Sequence, residues 1–430
     1  MKSLLLPPQD QVFWYLREPN IKPLAHDVKT DVVVVGGGMA GLSAAQRFRS
    51  QGLNVILIEK NYCGAGASGK SSGFITPDSE LPLDFFNKKY GVAEAKRIWE
   101  LVKNGVALIK NNIKEYHLDC DYQEQDTLVV ANSQNAFLNN ITGEHTTRLS
   151  MDYASTLYTE ETLRTILSSS GYYGGVSYGG TFGIQGYRYC YGMKRILQEQ
   201  GVLIYEETPA ITIHDHLVVT PLAQIKADHI IVCTDRFTDS FDALKDKVYH
   251  AQTFLMLSSP LSDEHVRKIF PTRKFMVWDT DFIYQYFRIT GDNRMMVGGS
   301  TIWHAYSSTE KHNNLYAARK LTRYITQKFP EIPLNFEYIW PGMIGISKDI
   351  FPIAGHDKDM PSVYYITAAS GLPWAAALGL YSADRILNKN TSFDEYLSPY
   401  RPTVLGTYAP SILGMKLTFM ISNVLTVGSL

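Results

Sequence analysis

Residues 31–41 read DVVVVGGGMAG, an uninterrupted run of valines followed directly by three glycines. A β-branched run of this kind predicts a strand that is buried on both faces of a parallel sheet. The glycines fit the spacing G-x-G-x-x-G. Gly36 permits a tight turn, Gly38 lets the backbone approach a pyrophosphate, and Gly41 lets the following helix pack closely on the sheet.

The chain after this bend completes a βαβ unit. Residues 40–50 predict a helix whose N-terminus, at Met39 and Ala40, faces the bound phosphates, and NVILIE at 54–59 predicts the next strand. Glu59 ends that strand 18 residues after the last glycine, where a carboxylate accepts hydrogen bonds from ribose hydroxyls. Dinucleotide binding is therefore predicted. The alternative is a glycine turn that only packs, and the motif does not separate FAD from NAD.

The composition limits the class of protein. Of the 430 residues, 45% are hydrophobic and 19% are charged, and 41 basic against 42 acidic side chains leave a net charge of −1. These values exclude a mainly disordered chain, and without a basic excess we expect no nucleic-acid partner. The four cysteines form no CxxC pair, so neither a disulfide framework nor a metal site is predicted. The apolar run at 4–6 is too short for a signal peptide, and we expect a cytoplasmic protein.

The remaining chain alternates between helical and strand patterns. Apolar residues spaced three and four apart over 91–117 predict a long helix, and residues 202–232 return to short strands. Segments such as FIYQYF at 282–287 are typical of a broad antiparallel sheet. We therefore predict an α/β protein in which a Rossmann-like nucleotide-binding domain is interleaved with a β-rich substrate domain.

The predicted division of the chain is discontinuous. It comprises a lead-in at 1–30, a nucleotide-binding domain at 31–80, 181–250 and 340–400, a substrate domain at 81–180 and 251–339, and an apolar C-terminal segment at 401–430. This last segment is interrupted by Gly406, Pro410 and Gly414, so it is too broken for a membrane span. We expect it to pack on the protein's own core, with peripheral contact to a membrane surface as the alternative.

A second glycine-rich stretch follows the acidic strand. Residues 63–74 read CGAGASGKSSGF, a sequence that can lay many backbone N–H groups along an extended ligand. Here the chain resembles the FAD-dependent oxidoreductases of the D-amino-acid oxidase superfamily, and most of all their gamma-glutamylputrescine oxidoreductase type. The other segments that carry the resemblance are Trp14-Tyr15, EETPA at 206–210, CTDRFT at 233–238, WPG at 340–342, PIAG at 352–355 and SGLPW at 370–374.

The resemblance implies a fold, a cofactor and a reaction. The nucleotide-binding domain becomes an FAD-binding domain of the glutathione-reductase-like kind beside an antiparallel-sheet domain. FAD is expected to be non-covalent, because no cysteine beyond Cys233 offers a cysteinyl link. The implied reaction is hydride transfer from a carbon bearing a neutral amine to flavin N5, after which water hydrolyses the imine. The predicted cofactor-binding residues are Gly36, Gly38, Met39, Ala40, Gly41, Glu59, Lys60, Gly66, Ala67, Ser68, Gly73, Phe74, Ala210, Thr234, Gly342, Gly371, Leu372, Pro373 and Trp374.

Two departures from the family pattern bear on the cofactor and the substrate. Where the family usually has Gly-His-Gly, this chain has GLP at 371–373, whose proline lacks an N–H. The arginine of glycine-oxidase-like members and the lysine of sarcosine-oxidase-like members, which hold an α-carboxylate, fall on Ile344 and Ala375. Apolar residues at both places argue against a free α-amino acid, although Lys348 or Arg288 offers a charge from another direction.

Candidate substrate contacts lie in the region of alternating aromatic residues. Tyr284, Tyr286 and Arg288 alternate along one predicted strand and therefore face the same side. Aromatic faces hold an amine by cation–π contact worth about 0.5–2 kcal/mol. We predict that these three residues line the substrate pocket; the alternative is an ordinary core face of tyrosines. His304 is a further candidate, with a surface histidine as the alternative, and Asp349 is predicted to be structural.

The sequence thus predicts an FAD-dependent oxidoreductase that oxidises the C–N bond of an amine. A polyamine derivative such as gamma-glutamylputrescine is among the candidate substrates, and oxygen or another acceptor takes the electrons. Three rivals stay open. They are a D-amino-acid or imino-acid oxidase or dehydrogenase of the same superfamily, a NAD-dependent reductase, and a flavin-binding protein without catalysis, which the proline at 373 favours.

Overall fold

The structure is a computed structural model that describes residues 12–16, 23–78, 80–241, 243–301, 305–307, 309–310, 315–406 and 408–428. Most of the predicted lead-in at 1–30 and the candidate His304 therefore lie outside the described residues. Within the described part of the lead-in, the ring of Trp14 packs edge-on against that of Trp340, with 5.6 Å between the centroids.

The valine run forms the centre of the first sheet. Val28–Val35 lies between Val55–Ile58 and Gln224–Val232, and all three strands are parallel. Val32, Val33 and Val34 are completely buried, as a strand covered on both faces requires. In spatial order the parallel strands are Leu203–Tyr205, Val55–Ile58, Val28–Val35, Gln224–Val232 and Val363–Thr367; the antiparallel strands Thr212–His214, Leu217–Val219 and Ile353–His356 complete the sheet.

Three helices pack one upon another beside this sheet through close backbone contacts. A Cβ on Gly379 would lie 2.5 Å from the carbonyl oxygen of Ala40, and a Cβ on Gly105 would lie 2.0 Å from that of Pro373. Because real Cβ atoms do not approach so closely, glycine at both positions sets the spacing of the layer. In order of contact the helices are Met39–Ser50, Leu372–Leu387 and Val92–Glu115.

The second sheet also has eight strands and is antiparallel except at one pair. Phe275–Asp279 runs parallel to Asp126–Val130, so the prediction of an antiparallel sheet holds apart from this pair. The strand expected over 282–287 begins only at Tyr286, and Tyr284 precedes it. In spatial order the strands are Phe336–Ser347, Val248–Pro260, Arg294–Gly299, Tyr286–Ile289, Phe275–Asp279, Asp126–Val130, Gly174–Tyr178 and Thr156–Thr159.

Short elements complete the described fold, which confirms the predicted α/β class with two interleaved sheets. A third sheet joins Phe74–Ile75, Phe182–Gly183 and Gln123–Glu124. The predicted domain limits stay a prediction, and the strands Val248–Pro260 and Phe336–Ser347 run across two of them. The remaining helices are Ala67–Lys70, Leu83–Tyr90, Gln134–Ala136, Phe137–Ile141, Thr142–Ser150, Glu160–Leu163, Gly186–Glu199, Asp235–Phe241, Asp263–Ile269, Leu315–Lys328, Asp394–Leu397, Ala409–Leu413 and Met415–Gly428.

The apolar C-terminal segment packs on the protein partly through its polar side chains. The amide of Asn423, in helix Met415–Gly428, donates to the carbonyl oxygens of Ser347 at 2.9 Å and Lys348 at 2.8 Å. In the described part of the chain, no helix has both the length and the apolar character that crossing a membrane requires. Apolar side chains that this helix leaves exposed include Leu417, Val424 and Leu425.

A buried ion pair ties the C-terminal chain to the end of the second sheet. Arg401 donates to both carboxylate oxygens of Asp349, at 2.7 Å and 2.8 Å, and Ser347 donates to the same carboxylate at 2.8 Å. Burial alone raises the pKa of Asp349, but the guanidinium and the hydroxyl outweigh burial and lower that pKa below its ordinary value. Asp349 is therefore ionised in the folded protein down to a lower pH than in the unfolded chain.

Replacing this carboxylate will destabilise the protein. Asp349→Asn leaves a buried guanidinium without its counter-ion, and we expect the free energy of unfolding at pH 7 to fall by about 3–5 kcal/mol in a urea titration. A group with a lowered folded-state pKa stabilises above its unfolded pKa of about 3.9 and loses this effect as the pH falls through the folded value. The difference between wild type and variant will therefore shrink as the pH falls below about 4.

The matched control is Asp119→Asn, whose carboxylate pairs with Arg188 at 3.0 Å but is 88% exposed. This substitution should change the unfolding free energy by less than about 1 kcal/mol. Equal effects of the two substitutions, or a difference that grows in acid, would contradict the stabilising role of the buried pair.

Candidate functional site

A cavity of about 560 Å³ lies beyond the carboxyl ends of the first parallel strands. We call it the large cavity. Its volume is in the range of small-molecule and cofactor sites. The predicted cofactor-binding residues along its wall are Gly36, Gly38, Met39, Ala40, Glu59, Lys60, Gly66, Ala67, Ser68, Ala210, Thr234, Gly371 and Leu372.

The glycine bend brings the first helix to this cavity. Gly36 has a φ of +111°, and a Cβ there would lie 2.6 Å from the carbonyl oxygen of Cys233. A Cβ on Gly41 would lie 1.9 Å from the carbonyl oxygen of Gly36. Gly41 is absent from the cavity wall and instead permits the helix to pack on the strand. The N-terminus of the helix, which attracts anions, therefore points into the cavity.

Glu59 lies on the same wall, beside the bend. Its carboxylate accepts hydrogen bonds from the backbone N–H of Gly37 at 2.8 Å and of Asn61 at 2.9 Å. Burial raises the pKa of Glu59, and the two amide donors act against that increase. Each carboxylate oxygen accepts more than one hydrogen bond, so the group has capacity left for ribose hydroxyls.

A second helix N-terminus reaches the large cavity at residues 371–375. Gly371 has a φ of +103° and precedes helix Leu372–Leu387, in which Pro373 occupies the first turn. Proline is compatible with this turn, since the first N–H groups of a helix lack partners within the helix. Pro373 and Trp374, which were predicted to bind the cofactor, do not line the large cavity, because the helix directs them into the core. The Pro373 carbonyl faces Gly105, and the Trp374 ring packs on Phe351 with 5.3 Å between centroids.

Three charged side chains on the wall of the large cavity form an ionic cluster. Glu310 pairs with Lys70 at 3.1 Å and with Arg236 at 2.7 Å. All three are largely buried, and the cluster carries one net positive charge. No sequence motif predicts this cluster, because the three residues are far apart in the chain and belong to no recognised spacing.

A smaller pocket of about 150 Å³ adjoins the large cavity. We call it the small pocket. Tyr284 and Tyr286, two of the predicted substrate contacts, line it, and their ring centroids lie 5.7 Å apart. Gly298 makes room for Tyr286, since a Cβ there would lie 2.1 Å from that ring. The residues that line both spaces are Ala67, Lys70, Ser71, Ile344, Gly371 and Leu372.

The far side of the small pocket is aromatic and acidic. Phe74 and Trp278 add two further rings, and Asp78 and Glu80 add two carboxylates. The Tyr284 hydroxyl donates to Glu80 at 3.1 Å. Burial raises the pKa values of both Tyr284 and Glu80, so the tyrosine stays neutral and serves as a hydrogen-bond donor. Neither carboxylate was among the residues predicted to line the substrate pocket.

Arg288 does not line either space, which corrects the prediction that it faces the substrate. Its guanidinium is completely buried and donates to the backbone carbonyl oxygens of Ser72 at 2.8 Å and Ile184 at 2.7 Å. Through these two hydrogen bonds Arg288 links the glycine-rich loop at 63–74 to the backbone at Ile184. Gly73 also lines neither space. Glycine at this position lets the loop pass close to the backbone of Ile184, since a Cβ on it would lie 1.8 Å from the Ile184 carbonyl oxygen.

The positions that carry a carboxylate clamp in related enzymes are apolar walls here. Ile344 and Ala375 line the large cavity, and Ile344 also lines the small pocket, as does the predicted Gly342. Lys348 lies away from both and approaches the carbonyl oxygen of Gly406 at 3.4 Å. Among the described residues that line the small pocket, Lys70 is the sole cation, and Glu310 pairs with it.

Comparison with known proteins agrees with this geometry. A family model described as FAD-dependent oxidoreductase (DAO) matches residues 31–385. The chain is 25% identical over 355 residues to the gamma-glutamylputrescine oxidoreductase of Escherichia coli, covering 81% of each chain. It is 24% identical over 408 residues to a probable oxidoreductase, OrdL, of Haemophilus influenzae, covering 92% of this chain and 90% of that one.

Solved structures share the fold at low identity. Glycine oxidase from Geobacillus kaustophilus superposes with a TM-score of 0.73 at 16% identity, covering 88% of this chain and 99% of that one. L-proline dehydrogenase from P. horikoshii gives a TM-score of 0.73 at 18% identity, covering 87% and 98%.

The fold and the bend define a dinucleotide-binding protein. Because the family model matches most of its length, the chain belongs to the DAO family of FAD-dependent oxidoreductases. This confirms the predicted family and cofactor, and it excludes the NAD-dependent alternative.

The residues present fit FAD. The backbone at Gly36 and Gly38 forms a cradle in which a Cβ would crowd its neighbours, at 2.6 Å from Cys233 and 3.1 Å from Ser68. The positive end of the first helix suits the diphosphate, and Glu59 suits the ribose. Contact of the individual wall residues with FAD stays a prediction.

Removal of the Arg288 side chain will weaken FAD binding. Arg288→Met leaves two buried carbonyl oxygens without donors, which costs about 1–3 kcal/mol each and releases the loop at 72–73. We expect the dissociation constant of FAD, measured by titrating apoprotein and following flavin fluorescence, to rise roughly tenfold or more. Arg288→Lys should lie between the variant and the wild type.

Arg164→Met serves as the control, since that arginine is 62% exposed and lies outside both cavities. It should leave the dissociation constant unchanged. If Arg288→Met bound FAD as tightly as the wild type, the loop would not depend on the guanidinium.

Proposed function

We propose that this enzyme oxidises the C–N bond of an amine, and that its substrate is a polyamine or a polyamine derivative such as gamma-glutamylputrescine. The observation that carries the proposal is the small pocket. Four aromatic rings and two carboxylates line it, while the positions that clamp an α-carboxylate in related enzymes are apolar. Such a lining attracts a cation, and it offers no cationic clamp for a carboxylate on the carbon next to the reacting nitrogen.

The chain's own residues support this chemistry by setting the protonation state of the amine. Bound FAD supplies the hydride acceptor for a carbon next to nitrogen. Ile344 and Leu372, on the wall shared with the large cavity, remove water from the reacting nitrogen, and Lys70 lies on the same wall. Both desolvation and a nearby like charge disfavour an ammonium ion. The amine is therefore held neutral, as loss of a hydride from the adjacent carbon requires.

The later steps need no further protein group of fixed identity. Loss of the hydride and of the nitrogen's proton leaves an imine, to which water adds to give a carbonyl compound and a free amine. Tyr284 and Tyr286 bind and orient the substrate rather than exchange protons, because burial raises the pKa of Tyr286 to about 12 and raises that of Tyr284 well above its ordinary value. Oxygen or another acceptor then takes the electrons.

An anaerobic titration tests this function. FAD-loaded protein is mixed without oxygen with a panel of alkylamines, diamines, gamma-glutamylputrescine, D-amino acids and sarcosine. We expect amines to abolish the yellow flavin absorbance, and we expect amino acids to react at least tenfold more slowly. Readmitting oxygen then distinguishes an oxidase from an enzyme that uses another acceptor.

Two results would contradict the proposal. Bleaching by D-amino acids or sarcosine but not by amines would identify an amino-acid oxidase or dehydrogenase and overturn the argument from Ile344 and Ala375. FAD that no compound in the panel reduces would favour a flavin-binding protein without catalysis. The control is reduction by dithionite, which shows that the bound flavin accepts electrons.

A further inference from the structure

Glu80 is a carboxylate at the wall of the small pocket with no cationic partner among the described residues. Among the described residues, its hydrogen-bond partner is the hydroxyl of Tyr284, which donates to it at 3.1 Å. No lysine, arginine or histidine nitrogen of the described chain lies within 4.0 Å of it, although such pairs occur at many other carboxylates, for example Asp349 and Arg401. Burial raises the pKa of Glu80, which is the response of a carboxyl group that lacks a nearby positive charge.

Asp78, on the same wall, belongs to a cluster of two carboxyl groups and one guanidinium. Its carboxylate pairs with Arg148 at 3.0 Å and accepts from the Thr76 hydroxyl at 3.1 Å. Arg148 also pairs with Glu144 at 2.7 Å, so one guanidinium serves two carboxyl groups, and it lies 3.4 Å from the ring centre of Tyr178. Burial, with the Glu144 carboxylate nearby, raises the pKa of Asp78 to about 7 although Arg148 lowers it. A further positive charge beside this wall therefore stabilises the ionised form of its carboxyl groups.

The two ends of the small pocket differ in charge. At the end shared with the large cavity the lining is apolar, apart from Ser71 and Lys70. At the other side lie Glu80 and Asp78 with the rings of Tyr284 and Trp278. Aromatic faces beside a carboxylate are a common arrangement for binding an organic cation. A substrate that enters this pocket thus meets surroundings that favour a neutral amine at one end and a positive charge at the other.

We propose that Glu80, with Asp78 beside it, forms a subsite for a second positive charge on the substrate, so that the enzyme prefers molecules with two amines over monoamines. This inference rests on the proposed amine oxidation. One amine, held neutral, lies toward FAD, and the other, held as an ammonium ion, binds at Glu80. Glu80 is then a residue that determines specificity, and Tyr284 is a positioning residue for its carboxylate.

Binding of unreactive cations tests the subsite without catalysis. A methoxyalkyltrimethylammonium ion and its neutral isostere, in which a tert-butyl group replaces the trimethylammonium group, contain no neutral amine, so both bind without being oxidised at nitrogen. Each is titrated into FAD-loaded protein while the change in flavin absorbance is followed. We expect the cation to bind roughly tenfold or more tightly than the neutral isostere, and we expect Glu80→Gln to remove this preference while leaving the affinity for the neutral isostere and the FAD content unchanged.

Two further variants keep the test decisive. Glu124→Gln makes the same chemical change at an exposed glutamate outside both cavities and should retain the preference. Tyr284→Phe removes the hydrogen bond to Glu80 and should reduce the preference in part, which provides a second measurement if Glu80→Gln does not fold. Equal binding of the cation and its neutral isostere by the wild type, or a preference that survives Glu80→Gln, would overturn the proposal.

Reduction of the flavin distinguishes failure of the subsite from failure of the proposed function. Under anaerobic conditions a diaminoalkane should reduce FAD at lower concentration than the monoalkylamine of the same length, and acetylation of one amine should abolish the advantage. If both amines reduce FAD equally well, the subsite is wrong and amine oxidation stands. If neither reduces FAD although the trimethylammonium cation binds more tightly than its neutral isostere, the subsite stands and the proposed function fails.

Discussion

The contact between Gly41 and the carbonyl oxygen of Gly36 is the constraint from which the site follows. At 1.9 Å from that oxygen a Cβ cannot exist, so only glycine lets the helix begin directly against the strand. The first turn of this helix in turn meets Gly379, where a Cβ would lie 2.5 Å from the carbonyl oxygen of Ala40. The position of helix Leu372–Leu387 therefore depends on the first bend. Two helix N-termini reach one cavity as a result, and each favours a negative ligand.

Charge is distributed unequally between the two adjoining spaces. On the wall of the large cavity, the cluster in which Lys70 and Arg236 surround Glu310 has two cations for one anion. The small pocket has the two carboxyl groups of Glu80 and Asp78 on its far side. A cofactor that carries a diphosphate matches the first space, and a cationic substrate matches the second. Complementary potentials of this kind act on orientation as much as on affinity, so the same pair of charges that attracts a substrate also fixes which of its ends approaches FAD.

Local rules predict the bend, whereas long-range packing decides the remaining positions. Gly36, Gly38 and Gly41 follow from strand, turn and helix patterns within a dozen residues. Strand alternation correctly groups Tyr286 with Arg288 but does not show that the arginine ends beneath a loop 216 residues away in the chain. A signal for the acidic wall was nevertheless present. Every second residue after the glycine-rich loop lines the small pocket: Phe74, Thr76, Asp78 and Glu80. These positions continue the alternation of the two-residue strand Phe74–Ile75. Alternate residues of an extended chain share one face, so the spacing itself predicts a common wall.

The separation of acidic and apolar walls resolves a conflict inherent in amine oxidation. A carboxylate attracts an amine but also stabilises its protonated form, from which hydride loss is disfavoured. If Glu80 lay beside FAD, it would bind the substrate in the unreactive state. At the far side of the small pocket it stabilises a charge that takes no part in the reaction, while Ile344 and Leu372 surround the nitrogen that does. Binding energy gained at the remote charge then holds the reacting end in place. The arrangement of a few side chains around one pocket thus assigns affinity and reactivity to opposite ends of a substrate.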